Sequence, residues 1–172
     1  MRLTAWVAAG IFLLDQISKY IVVHLLNLDR VLAIAVLPPW LNFHMAWNQG
    51  VNFGLMAGDG NLTRWVLIVL SLVIIAWVWL WVRRERHSRL MLISAGLLIG
   101  GALGNVIDRL VYGAVADFLN MSLPFWRNPW SFNVADIAIF AGAIGLVLFS
   151  GKTGAMPPPQ KAKTKTDAKA RR

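Results

Sequence analysis

Four of the eight acidic residues in this chain, Asp15, Asp108, Asp117 and Asp136, stand in or beside long apolar stretches. Ionisable groups at bilayer depth are costly, so each is a functional candidate by default. Asp15 and Lys19 are spaced i, i+4 with the acid N-terminal, the favourable order for a helical pair. A self-neutralising pair that aids packing is their plainer reading, with site support as the alternative. Asn105, Asp108 and Arg109 fall at i, i+3 and i+4 on one helix face. They stand at the end of a ridge of small residues, Gly96, Gly100 and Gly104, suited to close helix contact. A helix cap with a local Asp–Arg pair would be the bland account. Caps do not usually combine an amide, an acid and a guanidinium above such a ridge, so a polar functional network is favoured.

Asp117 lies in the β-prone stretch Gly113–Leu119, where on its own it reads as an exposed loop acid. Asp136 follows Asn133 by one turn, and the two read most simply as a first-turn acid and an N-cap. Topology changes that reading. If one apolar helix ends and the next begins at the same membrane face, Asp108, Asp117 and Asp136 converge near the outer boundary. Two adjacent carboxylates cannot both ionise cheaply, so such a pair holds one proton. It can then activate water with one carboxylate and protonate a leaving amine with the other. Few alternatives remain. There is no Cys, which excludes a disulfide framework, a thiol nucleophile and thiolate metal sites. His24, His44 and His87 are scattered, and no Ser–Lys arrangement lies at matching depth. The stretch Trp47–Leu55 contains Gly50 and Gly54 but lacks the ending of a phosphate loop. Its glycines allow close backbone approach, and Asn48 offers both donor and acceptor.

The elements that must position these groups are membrane helices. The 172 residues are 58% hydrophobic, above the roughly 45–50% of soluble domains. Four segments can span, at about 3–26, 65–82, 90–107 and 134–150. The fourth is the shortest, and its start needs protein around it. Twelve of the seventeen Lys/Arg lie at Arg2, in the loop 83–89 and in the tail from Lys152, which predicts both termini in the cytoplasm. Asp15 and Lys19 lie too deep for the first segment to be a cleaved signal peptide. Residues 1–151 read as one membrane domain, and the Pro/Lys-rich stretch 152–172 as a disordered basic tail resting on anionic headgroups. The net charge of +9 is mostly tail and loop, so no nucleic-acid partner is expected. Between the first two spans, Leu41, Phe43, Met45 and Trp47 alternate with Asn42, His44, Ala46 and Asn48, predicting a half-buried strand. Val31–Leu37 before it predicts an antiparallel partner, and Val115, Asp117 and Leu119 share a face of a further strand. With Trp126 and Trp130 fitting an interfacial belt, the outer connections read as a small sheet on or dipping into the membrane surface.

Four blocks together resemble the lipoprotein signal peptidases (signal peptidase II), bacterial intramembrane aspartic proteases. They are Asp15-Gln16-Ile17-Ser18-Lys19, then Asn48-Gln49-Gly50-Val51-Asn52-Phe53-Gly54, then Gly104–Arg109 continuing to Asp117-Phe118, and Phe132–Asp136. The resemblance implies an all-α membrane fold of four helices with an extracytoplasmic β-cradle and a mobile amphipathic segment. It implies Asp117 and Asp136 as the catalytic dyad, with Asn48, Asn105, Arg109 and Asn133 lining the site and binding substrate backbone. Asp108 would orient the network, with Asp15, Lys19, Gly50 and Gly104 in support. The implied reaction is hydrolysis before the diacylglyceryl-modified cysteine of a prolipoprotein, with no metal, no cofactor and no covalent intermediate. Globomycin-type peptides would inhibit it, and a monomer in the bacterial inner membrane, its site near the extracytoplasmic face, is expected. Asn52 departs from the small Ala or Ser more usual in the family, and the basic tail is an addition to the family domain. The rival class is a non-enzymatic membrane protein, a small transporter subunit or proton-relay scaffold. No inverted repeat of broken helices supports it.

Overall fold

The computed structural model describes residues 1–50, 60–84 and 87–150. The expectations for Asn52, Gly54 and an amphipathic segment there, for Glu85 and Arg86 in the basic loop, and for the tail from 152 lie outside the described residues.

Helix α4 (Arg89–Tyr112) is the element on which the others assemble, with α5 (Val134–Phe149), α1 (Arg2–Lys19) and α3 (Gly60–Arg84) packed against it. Its ends are set locally. The Ser88 side chain accepts from the Met91 N–H at 3.2 Å, and Gly113, at φ +81°, closes the C-terminus through its N–H to Arg109 O. The predicted small-residue ridge does bring helices close. A Cβ on Gly100 would lie 2.5 Å from the Ala8 carbonyl oxygen of α1, so α1 can approach only a bare backbone. A buried cluster of Ala8, Val78, Val82, Met91, Ala95, Leu98, Ile99 and Leu146 joins all four helices.

The outward faces of α3 and α5 carry Trp65, Val69, Val73, Trp77, Phe140, Ile144 and Val147 exposed. A continuous apolar surface of that kind is tolerable only against lipid. Arg2–Leu25, Asn61–Arg84 and Arg89–Tyr112 each run 24 residues. At ~1.5 Å per residue that is enough to cross the ~30 Å hydrocarbon core. The chain is a multi-pass membrane protein. The fourth expected segment is the 16-residue α5, the shortest of the four apolar helices as the sequence led us to expect.

Beyond Lys19 the first helix continues as a π-helical segment, Tyr20–Leu25. The short helix α2 (Leu28–Val31) replaces the start of the predicted strand 31–37. Asn27 and Leu32 at positive φ bracket α2 and reverse the chain, so β1 is confined to Ala33–Leu37. β1, β2 (Leu41–Asn48) and β3 (Val115–Asn120) form an antiparallel sheet in the order β1-β2-β3. One side of it rests on Val22, Val23 and Leu28, so the end of the first helix supports the sheet. The expected alternation along β2 is interrupted. Phe43 pairs with Leu119 but Ala46 pairs with Asp117, so a bulge of one residue lies between them. Asn48 consequently pairs with Val115, on the side of the sheet that carries Asp117. Without the bulge it would face away.

Candidate active site

Two segments bring Asp117 and Asp136 together. Asp117 is fixed mid-strand in β3, 3% exposed, which removes the exposed-loop reading. Phe132 exchanges backbone hydrogen bonds with Leu119 at 2.8 and 3.0 Å, so the chain enters α5 alongside β3. Asn133 caps α5: its Oδ1 accepts from the Asp136 N–H at 2.9 Å, while its own N–H donates to Asp136 Oδ2 at 3.2 Å. Its side-chain amide also donates to Asp117 Oδ1 at 2.6 Å. The cap foreseen from sequence is therefore real, and the same residue bridges the two carboxylates.

Every hydrogen bond found on these two acids comes from an amide. Asn48 Nδ2 donates to Asp117 Oδ2 at 3.0 Å and Asn105 Nδ2 donates to Asp136 Oδ1 at 3.0 Å. The orientation of Asn48 is imposed by its neighbour, because the Gly50 N–H donates to Asn48 Oδ1 at 2.9 Å and leaves only the NH₂ for Asp117. Gly50 sits at φ +103°, and a Cβ there would meet Leu67, so this turn requires glycine. Burial, then the negative charge of Asp136, push the Asp117 carboxyl up to about 6, against the pull of Asn48, Asn133 and Lys19. This is the environment expected of the member of a pair that keeps the proton.

The remaining acids separate from the dyad. Asp108, expected to converge with Asp117 and Asp136 or to pair locally with Arg109, instead meets Lys19 at 2.7 Å. Lys19 also meets Asp15 at 2.8 Å, so the foreseen i, i+4 pair is one half of a trio. Gln16, missed from sequence beyond its place in a motif, donates to Asp108 Oδ1 at 3.0 Å and to Asp15 Oδ2 at 3.2 Å. Only a glycine fits at 104, since a Cβ there would run into Asp15 Oδ2. Arg109 donates from Nη1 to Asn105 O at 3.2 Å and lies within electrostatic reach of Asp117 and Asp136. Its Nε is buried without a partner among the described residues. A cavity of about 570 Å³ opens elsewhere, between Ile34, Pro39, Asn42, Asn120 and Arg127, and contains none of these groups.

Comparison with known proteins identifies the family and the fold. A family model for signal peptidase (SPase) II matches residues 7–151. A lipoprotein signal peptidase of Methylorubrum extorquens (strain PA1) is 47% identical over 117 residues, covering 66% of each chain. One from Pseudomonas syringae pv. tomato is 38% identical over 156 residues, covering 87% of each. A solved structure of a bacterial membrane enzyme superposes with a TM-score of 0.70 at 23% identity, covering 95% of this chain and 96% of that one. At that identity the superposition speaks for the fold.

Proposed function

This chain belongs to the signal peptidase II family, lipoprotein signal peptidases that act as aspartic proteases to remove signal peptides from prolipoproteins, and from that premise we propose that Asp117 and Asp136 are its catalytic dyad. The observation that carries the assignment is Asn133, which donates to both carboxylates, at 2.6 and 3.2 Å, in a place where no cation among the described residues bonds to either. One proton shared by the two acids completes the arrangement.

Asp117 begins protonated and Asp136 ionised at the start of α5, where a helix N-terminus favours negative charge. Asp136 takes a proton from water as its oxygen adds to the scissile carbonyl, and Asp117 protonates the carbonyl oxygen. In the diol that results, Asp136 passes its proton to the leaving amine. The C–N bond breaks, and a diol hydroxyl returns a proton to Asp117, restoring the starting state. The free Nε–H of Arg109 is placed to hold substrate backbone, as is the amide edge of Asn48. The scissile bond is the one before the diacylglyceryl-modified cysteine. The diacyl chains enter from the bilayer and anchor the peptide at the depth of the dyad. The distribution of Lys and Arg supports four crossings with both termini in the cytoplasm of a bacterial inner membrane. In that orientation the C-terminal end of α4 and the start of α5, and with them the site, lie at the extracytoplasmic face.

The test is a gel-shift cleavage assay in detergent with a diacylglyceryl-modified prolipoprotein and its unlipidated precursor. The parent enzyme is expected to cut only the lipidated form, and Asp117→Asn to cut neither. Near-normal cleavage by Asp117→Asn overturns the dyad.

A further inference from the structure

The backbone N–H one residue before each acid of the dyad is held by a carboxylate of the inner trio. The Ala116 N–H donates to Asp108 Oδ2 at 3.2 Å, and the Ala135 N–H donates to Asp15 Oδ1 at 2.9 Å. Both carboxylates converge on one ammonium, since Lys19 Nζ lies 2.7 Å from Asp108 Oδ2 and 2.8 Å from Asp15 Oδ2. A lysine has three N–H donors. One of them reaches Asn105 Oδ1 at 3.3 Å. An ammonium can only donate, so the Asn105 atom facing it must be oxygen, which accepts from the Asn133 amide as well at 3.3 Å, and the Asn105 NH₂ is thereby turned to Asp136 at 3.0 Å. The ammonium of a side chain that is 5% exposed thus meets three groups, each one step from the dyad.

We propose that Lys19 is a positioning residue of the proteolytic site: through Asp108 and Asp15 it fixes the strand carrying Asp117 against the helix carrying Asp136, and through Asn105 it orients the amide that donates to Asp136. This rests on the dyad reading above. Charge balance alone would need only a cation near two acids. It would not need both acids to grip the main chain beside the dyad, nor a third bond to the amide between them. The links also cross elements far apart in sequence, since Asp15 of α1 bonds to Ala135 of α5 and Asp108 of α4 to Ala116 of β3. A shift of one anchor therefore changes the separation of the two carboxylates.

The deciding variant keeps the charge of the trio constant. Lys19→Met combined with Asp108→Asn removes one positive and one negative charge and leaves a carbonyl able to accept from Ala116. If Lys19 only balances charge, the double variant is folded and has the kcat of the parent, which overturns the proposal. If Lys19 positions, the folded double variant loses about 100-fold in kcat, the scale of an ~1 Å misplacement, while KM stays within about threefold. A second charge-preserving variant, Lys19→Arg, carries the same expectation, because a planar guanidinium cannot reproduce the three convergent contacts of the ammonium. Should neither variant accumulate as folded protein, Lys19 is a folding requirement and the proposal falls. Asp117→Asn is assayed beside them. If it retains activity the dyad assignment has failed, whereas a dead Asp117→Asn with an active double variant fails only the role of Lys19.

Discussion

Two pairs of acids lie a few residues apart in this fold and differ in what donates to them. Asp15 and Asp108 share an ammonium, a glutamine and two main-chain N–H groups. Asp117 and Asp136 receive side-chain amides and the backbone of Asn133, with no bonded cation among the described residues. The difference decides their chemistry. A buried carboxylate held by a cation is neutralised where it stands and is fit for structure. A carboxylate pair held by neutral donors must settle its charge by binding a proton, and a proton held that way can be moved.

The sharpest way to break the contrast is to compare Asp136→Asn with Lys19→Ala. Asp136→Asn is expected to lower turnover by about 10³-fold or more, the scale of lost acid–base catalysis, with the thermal midpoint nearly unchanged. Lys19→Ala leaves two buried carboxylates without their cation and is expected to destabilise by about 3–5 kcal/mol. Thermal unfolding in detergent beside the cleavage assay reads both. If Lys19→Ala is as stable as the parent, the inner trio is not the structural cluster described here.

Gly104→Ala probes the inner cluster more gently. The added methyl meets Asp15 Oδ2, in a carboxylate held by Lys19 at Oδ2 and by the Ala135 N–H of α5 at Oδ1. A cost of about 1–3 kcal/mol is expected, as for overpacking elsewhere. Activity should fall with it, because Asp15 cannot yield without releasing Ala135. A variant that unfolds early yet keeps its full turnover when folded would separate the cluster from the dyad.

Much of this contrast was legible in the residues. The family resemblance of the four motif blocks pointed to the proposed dyad, its amides and its glycines, while short-range spacing carried only local groupings: Asn133 with Asp136, Asn105 with Asp108 and Arg109. What spacing could not carry was partnership. Asp108 pairs with Lys19 across 89 positions of sequence, from one helix to another, and nothing local prefers it to the adjacent Arg109. The grips on Ala116 and Ala135 involve main chain, to which side-chain identity gives no clue. Asn48 faces Asp117 only because β2 carries a bulge, and strict alternation across residues 41–48 gave no sign of one. The extent of α5 was legible to within a residue, because its apolar run is bounded by the Asn133 cap on one side and Ser150 on the other.

The smallest effect sharpens the contrast most, because it reads the proton itself. Asp117 is raised from its usual 3.8 to about 6 by burial and by Asp136. The folded protein therefore binds this proton more tightly than the unfolded chain does. The stability it contributes is complete below about pH 3.8 and is lost as pH rises through about 6. Asp117→Asn has no such group, so the gap between its thermal midpoint and that of the parent should widen in favour of the variant from pH 4 to pH 7. In the cleavage assay kcat/KM reports the free enzyme and should fall above about pH 6. Bound substrate excludes more water, which raises the carboxyl further, so the fall in kcat should come at a higher pH. Asn48→Ala removes a donor at 3.0 Å that favours the ionised form of Asp117. The alkaline limb of kcat/KM is then expected to move up by roughly half to one pH unit. A limb that stays in place while KM rises would show that Asn48 serves the substrate alone, and that the proton on the dyad is governed by burial and by Asp136 without it.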